Sequence, residues 1–71
     1  MMTKKEFIQH AAIELAAALI EPYNNSAKGL NEYTEEQLIM RASKMSVFLA
    51  NTLEIIAEDE GIQGKLFADY D

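Results

Sequence analysis

The chain has 71 residues, no cysteine, and a formal net charge of −6 from twelve acids and six bases. Disulfides, thiolate zinc sites and a cysteine nucleophile are thereby excluded, and an acidic surface repels phosphate backbones, so no nucleic-acid partner is expected. Hydrophobic residues make up 49% of the sequence, too many for a disordered chain, yet a single domain this small buries only about 60% of the surface its unfolded form exposes.

The N-terminal stretch MMTKKEFIQH places two lysines ahead of the apolar run AAIELAAALI, which superficially suggests a secretory leader. That run contains Glu14 and is too short to span a bilayer. Glu6, Gln9 and His10 sit where a leader would already be apolar. A soluble, cytoplasmic chain with no membrane partner is expected.

Thr3-Lys4-Lys5-Glu6 is a capping box, the threonine hydroxyl accepting from an early backbone N–H while the glutamate reaches back. It predicts a first helix over about 4–21, with Pro22 blocking continuation. The apolar face of this helix reads Ile8, Ala11, Ala12, Leu15, Ala16 and Leu19, in helical steps. Ile13, Ala17 and Ile20 widen it beyond one stripe.

Residues 22–33 are expected to form the connection. Asn24, Asn25, Ser26 and Gly29 are turn formers, and Tyr23, Leu30 and Tyr33 can pin the bend against the end of the core. A short helical turn over 26–30, capped by Ser26, fits the same residues. No charged constellation there argues for catalysis. The connection reads as a hairpin bend.

A second box, Thr34-Glu35-Glu36-Gln37, predicts a helix over about 35–59, ending before Gly61. Leu38, Ala42, Met45, Leu49, Thr52 and Ile56 alternate in steps of four and three, the period of a bundle seam. Met45, Phe48, Thr52 and Ile55 make a neighbouring row. In the tail, 61–71, Ile62, Leu66, Phe67 and Tyr70 could share one side of a short helix that folds back or packs on another chain.

The expected fold is therefore all-α and a single domain over 1–71: an antiparallel helical hairpin with a short C-terminal helical tail. At 1.5 Å per residue the two predicted helices span about 27 Å and 38 Å, so the second overhangs by about 10 Å, and the overhang carries Leu53, Ile55 and Ile56. A lone pair would leave an apolar patch of the size that marks an association site. Pairing of two hairpins into a four-helix bundle is expected, as a homodimer ahead of a tetramer. Its core is assigned to Ile8, Leu15, Leu19, Leu38, Met45, Leu49 and Ile56.

Two clusters carry candidate chemistry. Glu6, His10 and Glu14 share a helix face, but their spacing departs from the Glu-x-x-His pattern of di-iron bundles and no second such motif exists. They read as a solvated stripe, with no catalytic residue, metal or cofactor expected. Glu58, Asp59 and Glu60 crowd the negative pole of the second helix, which costs a few tenths of a kcal/mol each. In a hairpin, Lys4 and Lys5 approach that pole and compensate it, and Lys65 of the tail is a further cation within reach. The acids, with Phe67 and Tyr70, are the candidates for partner contact.

The function expected from these features is a non-enzymatic, homo-oligomeric helical protein acting in protein–protein interaction. Two competing classes are an acidic inhibitor or nucleic-acid mimic that occupies a basic protein surface, and a metal-dependent helical enzyme built on Glu6, His10 and Glu14. The first would require acids spread along one exposed face.

Overall fold

Helix α1 (Lys4–Asn24) begins where the first capping box places it. The Thr3 backbone N–H donates to Glu6 Oε1 at 3.0 Å, and the Glu6 N–H donates to Thr3 Oγ1 at 3.0 Å. Two donors with no partner inside the helix are thus satisfied reciprocally. The bond from the Thr3 N–H, reinforced by the Thr3 side chain, holds the Glu6 carboxyl below its ordinary pKa. Because the folded value is depressed, this contribution to stability is in force above the unfolded pKa. It is lost as pH falls through the folded one. Thr3→Ala should lower the unfolding free energy by about 1 kcal/mol at neutral pH, and Glu6→Gln, which removes the titrating carboxyl that the Thr3 N–H holds, should flatten the stability profile on the acid side; urea melts between pH 3 and pH 7 check both.

At its other end α1 runs through Pro22 to Asn24, three residues past its expected end at Glu21, with Pro22 itself inside the helix. Proline's fixed φ is helical, and its damage is confined to the carbonyl four residues back, which loses a donor and is crowded by the ring. Ala18 and Pro22 are both exposed, so water reaches that carbonyl. Proline in this last turn therefore weakens the helix without ending it.

The computed structural model describes residues 1–24 and 31–69, and the expected turn over 26–30 lies outside them. Helix α2 (Glu32–Asp59) starts three residues before the Thr34 box predicted. Its N-cap is Asn31, extended at φ −102° and ψ 167°, whose side chain accepts from the Thr34 N–H at 2.8 Å. Asparagine caps as well as threonine, and starting at Asn31 adds nearly a turn of helix. Glu32 and Glu35 then lie in the first turn, at the positive pole.

The C-terminus of α2 closes in a Schellman motif around Gly61, at φ 68°. The Ile62 N–H donates to the Ala57 carbonyl at 2.9 Å and the Gly61 N–H to the Glu58 carbonyl at 3.1 Å. A side chain at Gly61 would meet no neighbour, so only the backbone conformation calls for glycine there.

The helices form an antiparallel hairpin, with Lys4 at the start of α1 paired to Glu54 near the end of α2 at 2.6 Å. The seam between them is built from small side chains. Along α2 the buried residues are Leu38, Ala42, Ser46 and Ala50, in steps of four, and α1 contributes Ala11. Ser46 and Ala50 are fully covered. The Ser46 hydroxyl donates to the Ser43 carbonyl at 2.7 Å, so it packs as a small residue with its polar atom satisfied in its own helix. Rows at i±4 with minimal side chains let two helices approach closely.

The tail is not helical where it is described. Gly64 sits at φ 85°, a left-handed conformation that no right-handed helix tolerates. The chain instead returns to the start of α1. Ala68 N–H donates to the Met2 carbonyl at 3.0 Å, Thr3 and Ala68 form an isolated parallel bridge, and Phe67 packs on Phe7 with ring centroids 5.2 Å apart. The expectation of a helical tail is corrected by these contacts, while a fold-back within the chain is present.

Candidate functional site

The seam of small residues leaves the larger apolar residues of α2 on the outside. Phe48 is 73% exposed, Ile55 58% and Ile56 49%. Met45 and Leu49 are also exposed, each about two-fifths open. With Leu15 of α1, the side chains of Met45, Phe48, Leu49 and Thr52 line an open groove of about 600 Å³, and among the described residues Lys44 is the one charged side chain in its lining.

The residues assigned to an oligomer core are thus divided by the hairpin. Leu38 is buried in the seam, and Ile8, Leu15 and Leu19 are half-buried against it. Met45, Leu49 and Ile56 stand beside the seam rather than in it. The four-three alternation through Met45 and Leu49 does not mark the intramolecular contact, which runs through Ala42, Ser46 and Ala50 instead. The signal for that contact was a repeat of small residues every four positions along α2.

The surface as a whole is larger than a compact monomer needs. A chain of 8.0 kDa folded to ordinary compactness exposes about 4,500 Å²; this one exposes 5677 Å². The excess, about 1,200 Å², exceeds the roughly 800 Å² that each partner contributes to a standard protein interface. The radius of gyration is 15.2 Å, against about 11 Å for a compact domain of this length. The least extent is only 16 Å, little more than one helix layer with its side chains.

A second concavity of about 500 Å³ lies at the loop end of the hairpin, where Tyr23 and Tyr33 flank Arg41 and Lys44. A third, of about 550 Å³, lies under the returning tail and carries charges of both signs, from Lys4, Glu54, Glu58, Lys65 and Asp69.

The two charged clusters stand apart, one along the first half of α1 and one at the end of α2. Glu6 is engaged by Thr3, and among the described residues no three histidine or acidic side chains come together as a metal site requires. Glu58, Asp59 and Glu60 are exposed at the end of α2. Lys4 reaches Glu54, a turn earlier than these acids, and Lys65 pairs with Asp69 within the tail. The compensation expected at the acidic pole is therefore displaced by one turn. Phe67 is committed to Phe7 within the chain, and Tyr70 lies outside the described residues.

No protein-family model, curated protein or solved structure matches this chain. Among the described residues no helix is long and apolar enough to cross a membrane. The functional reading rests on the groove.

Proposed function

We propose that the protein is a non-enzymatic helical module whose work is protein–protein association, and that the surface it presents first is to a second copy of itself. Two hairpins joined at the groove would make a four-helix bundle, with the half-exposed Leu15, Met45 and Leu49 turned into its interior. The observation that carries this reading is the open groove, whose lining is almost wholly apolar, on a chain that exposes more surface than compact folding leaves. Burying about 800 Å² per chain at 25 cal/mol per Å² of its apolar part offsets much of what a domain of 71 residues lacks.

Acidic mimicry of nucleic acid is less well supported. Along α2 the acids gather at the two ends, with Glu32, Glu35 and Glu36 at one and Glu54, Glu58, Asp59 and Glu60 at the other. The exposed residues between them include Met40, Val47 and Phe48. A cytoplasmic setting belongs to the same proposal, on the strength of Glu14, which interrupts the first apolar run.

Thermal unfolding across a hundredfold range of protein concentration tests the association. A folded state that exists as a dimer gives a midpoint that rises with concentration. A midpoint independent of concentration would remove the basis for the module.

A further inference from the structure

Beside the buried seam of α2 runs a second row: Arg41, Met45, Phe48, Thr52, Ile55 and Asp59, in steps of four, three, four, three and four. Every member is exposed or half-exposed, and Phe48 at its middle is the most open of the large apolar residues on α2. The row has the period of a coiled-coil seam, yet the hairpin gives it no partner. It also has a property that the hairpin does not use. Its spacing reads the same in both directions, and its two ends carry opposite charges.

We infer that this row is self-complementary, and that a second copy docks with its α2 antiparallel to this one about a two-fold axis at the level of Ala50. In that register Arg41 meets Asp59 of the partner subunit, Met45 meets the partner's Ile55, and Phe48 meets the partner's Thr52. Each contact occurs twice, as an isologous interface requires. The large Phe48 faces a small side chain in every case, so the layers fill evenly. The two ion pairs close the ends of an otherwise apolar strip, where such charges fix register and orientation more than they add affinity.

The alternatives are worse on the same residues. A parallel pairing would set Arg41 on the partner's Arg41, Asp59 on the partner's Asp59, and two phenylalanines on one another. Sliding the antiparallel pair by a heptad toward the N-terminal halves brings Arg41 opposite the partner's Thr52 and leaves Asp59 opposite the partner's Thr34. Only the register about Ala50 pairs both charges. Antiparallel α2 helices also oppose their macrodipoles favourably. The row spans 18 steps, about 27 Å, and the surface excess already described is sufficient for an interface of standard size.

This inference rests on the homo-oligomeric reading above, and its test separates the two. The sequence has no cysteine, so introduced thiols are free of background. The double variant Met45→Cys/Ile55→Cys should give a covalent dimer with a short bifunctional thiol reagent. Each single variant should not, because its two thiols lie about 15 Å apart along the paired helices. Both sites are exposed in the hairpin, so folding is not at stake, and circular dichroism verifies it. In parallel, Arg41→Asp and Asp59→Arg should each weaken dimerisation by about tenfold, and the two together should recover to within about threefold of the wild type. Cross-linking by either single variant, or its absence from a double variant still dimeric by mass, overturns the register and leaves the dimer standing. A monomeric wild type overturns both.

Discussion

Ala50→Leu should lower the unfolding free energy by about 3 kcal/mol, the upper end of the range for overpacking a tight site. Ala50 is fully covered and belongs to a row, Ala42, Ser46 and Ala50, that presents almost nothing but backbone and Cβ atoms to α1. A leucine there adds three carbons where no space exists. Either the side chain leaves its preferred rotamer or α1 is lifted away along its length, and lifting also strains the Lys4–Glu54 pair and the contact of the tail with Phe7. For a domain of this size the loss is comparable to the whole stability its core supplies. Urea melts followed by circular dichroism measure it, with Ala18→Leu on the exposed side of α1 as the control expected to change little. An unchanged midpoint for Ala50→Leu would mean that the helices are not closely packed along this row.

The second large effect falls outside the hairpin. Phe48→Asp should leave the helix content of the isolated chain nearly unchanged, since 73% of Phe48 is already exposed. In an assembly built on the groove the same change buries a carboxylate without a partner, and the two-fold axis imposes it twice. A buried unpaired charge is among the costliest substitutions known, and a central aromatic is the type of residue on which interfaces depend most. The dimer dissociation constant should rise at least about a hundredfold, roughly 3 kcal/mol. Light scattering on wild type and variant at matched concentration reads this directly. Equal masses would show that the groove is not where copies meet. The pair of variants separates the two faces of α2: Ala50 reports on the seam inside the chain, Phe48 on the row beside it.

Local signals were the most legible part of this sequence. The Thr3–Glu6 box and the glycine after Asp59 each specify a geometry with named donors and acceptors, and both form as the residues dictate. The start of α2 shows where such signals compete. Asn31 and Thr34 are both good caps three residues apart, and the upstream one prevails because it adds helix at no cost in capping. Pro22 misleads in the opposite sense, since a proline in a solvated last turn forfeits one bond and does not stop the chain. The face of α2 that meets α1 was harder to read. Large apolar residues dominate a periodicity analysis, whereas this contact is made by alanines and a serine whose value lies in what they omit. The tail failed for a simpler reason. Ile62, Leu66 and Phe67 have helical spacing, but Gly64 between them takes a left-handed φ, and pairing with Met2 and Thr3 satisfies the backbone instead. The groove itself was legible only as a surplus: two helices too apolar to be covered by each other.

That surplus is also the central claim, because the tail does not remove it. Phe67 and Ala68 cover the start of α1, yet Ile55, Ile56 and Ile62 stay about half exposed. Sedimentation equilibrium of the wild-type chain at micromolar concentration measures the consequence without any substitution. A particle of about twice 8.0 kDa is the predicted result. A single ideal species of 8.0 kDa, unchanged at the highest concentrations reached, would contradict it.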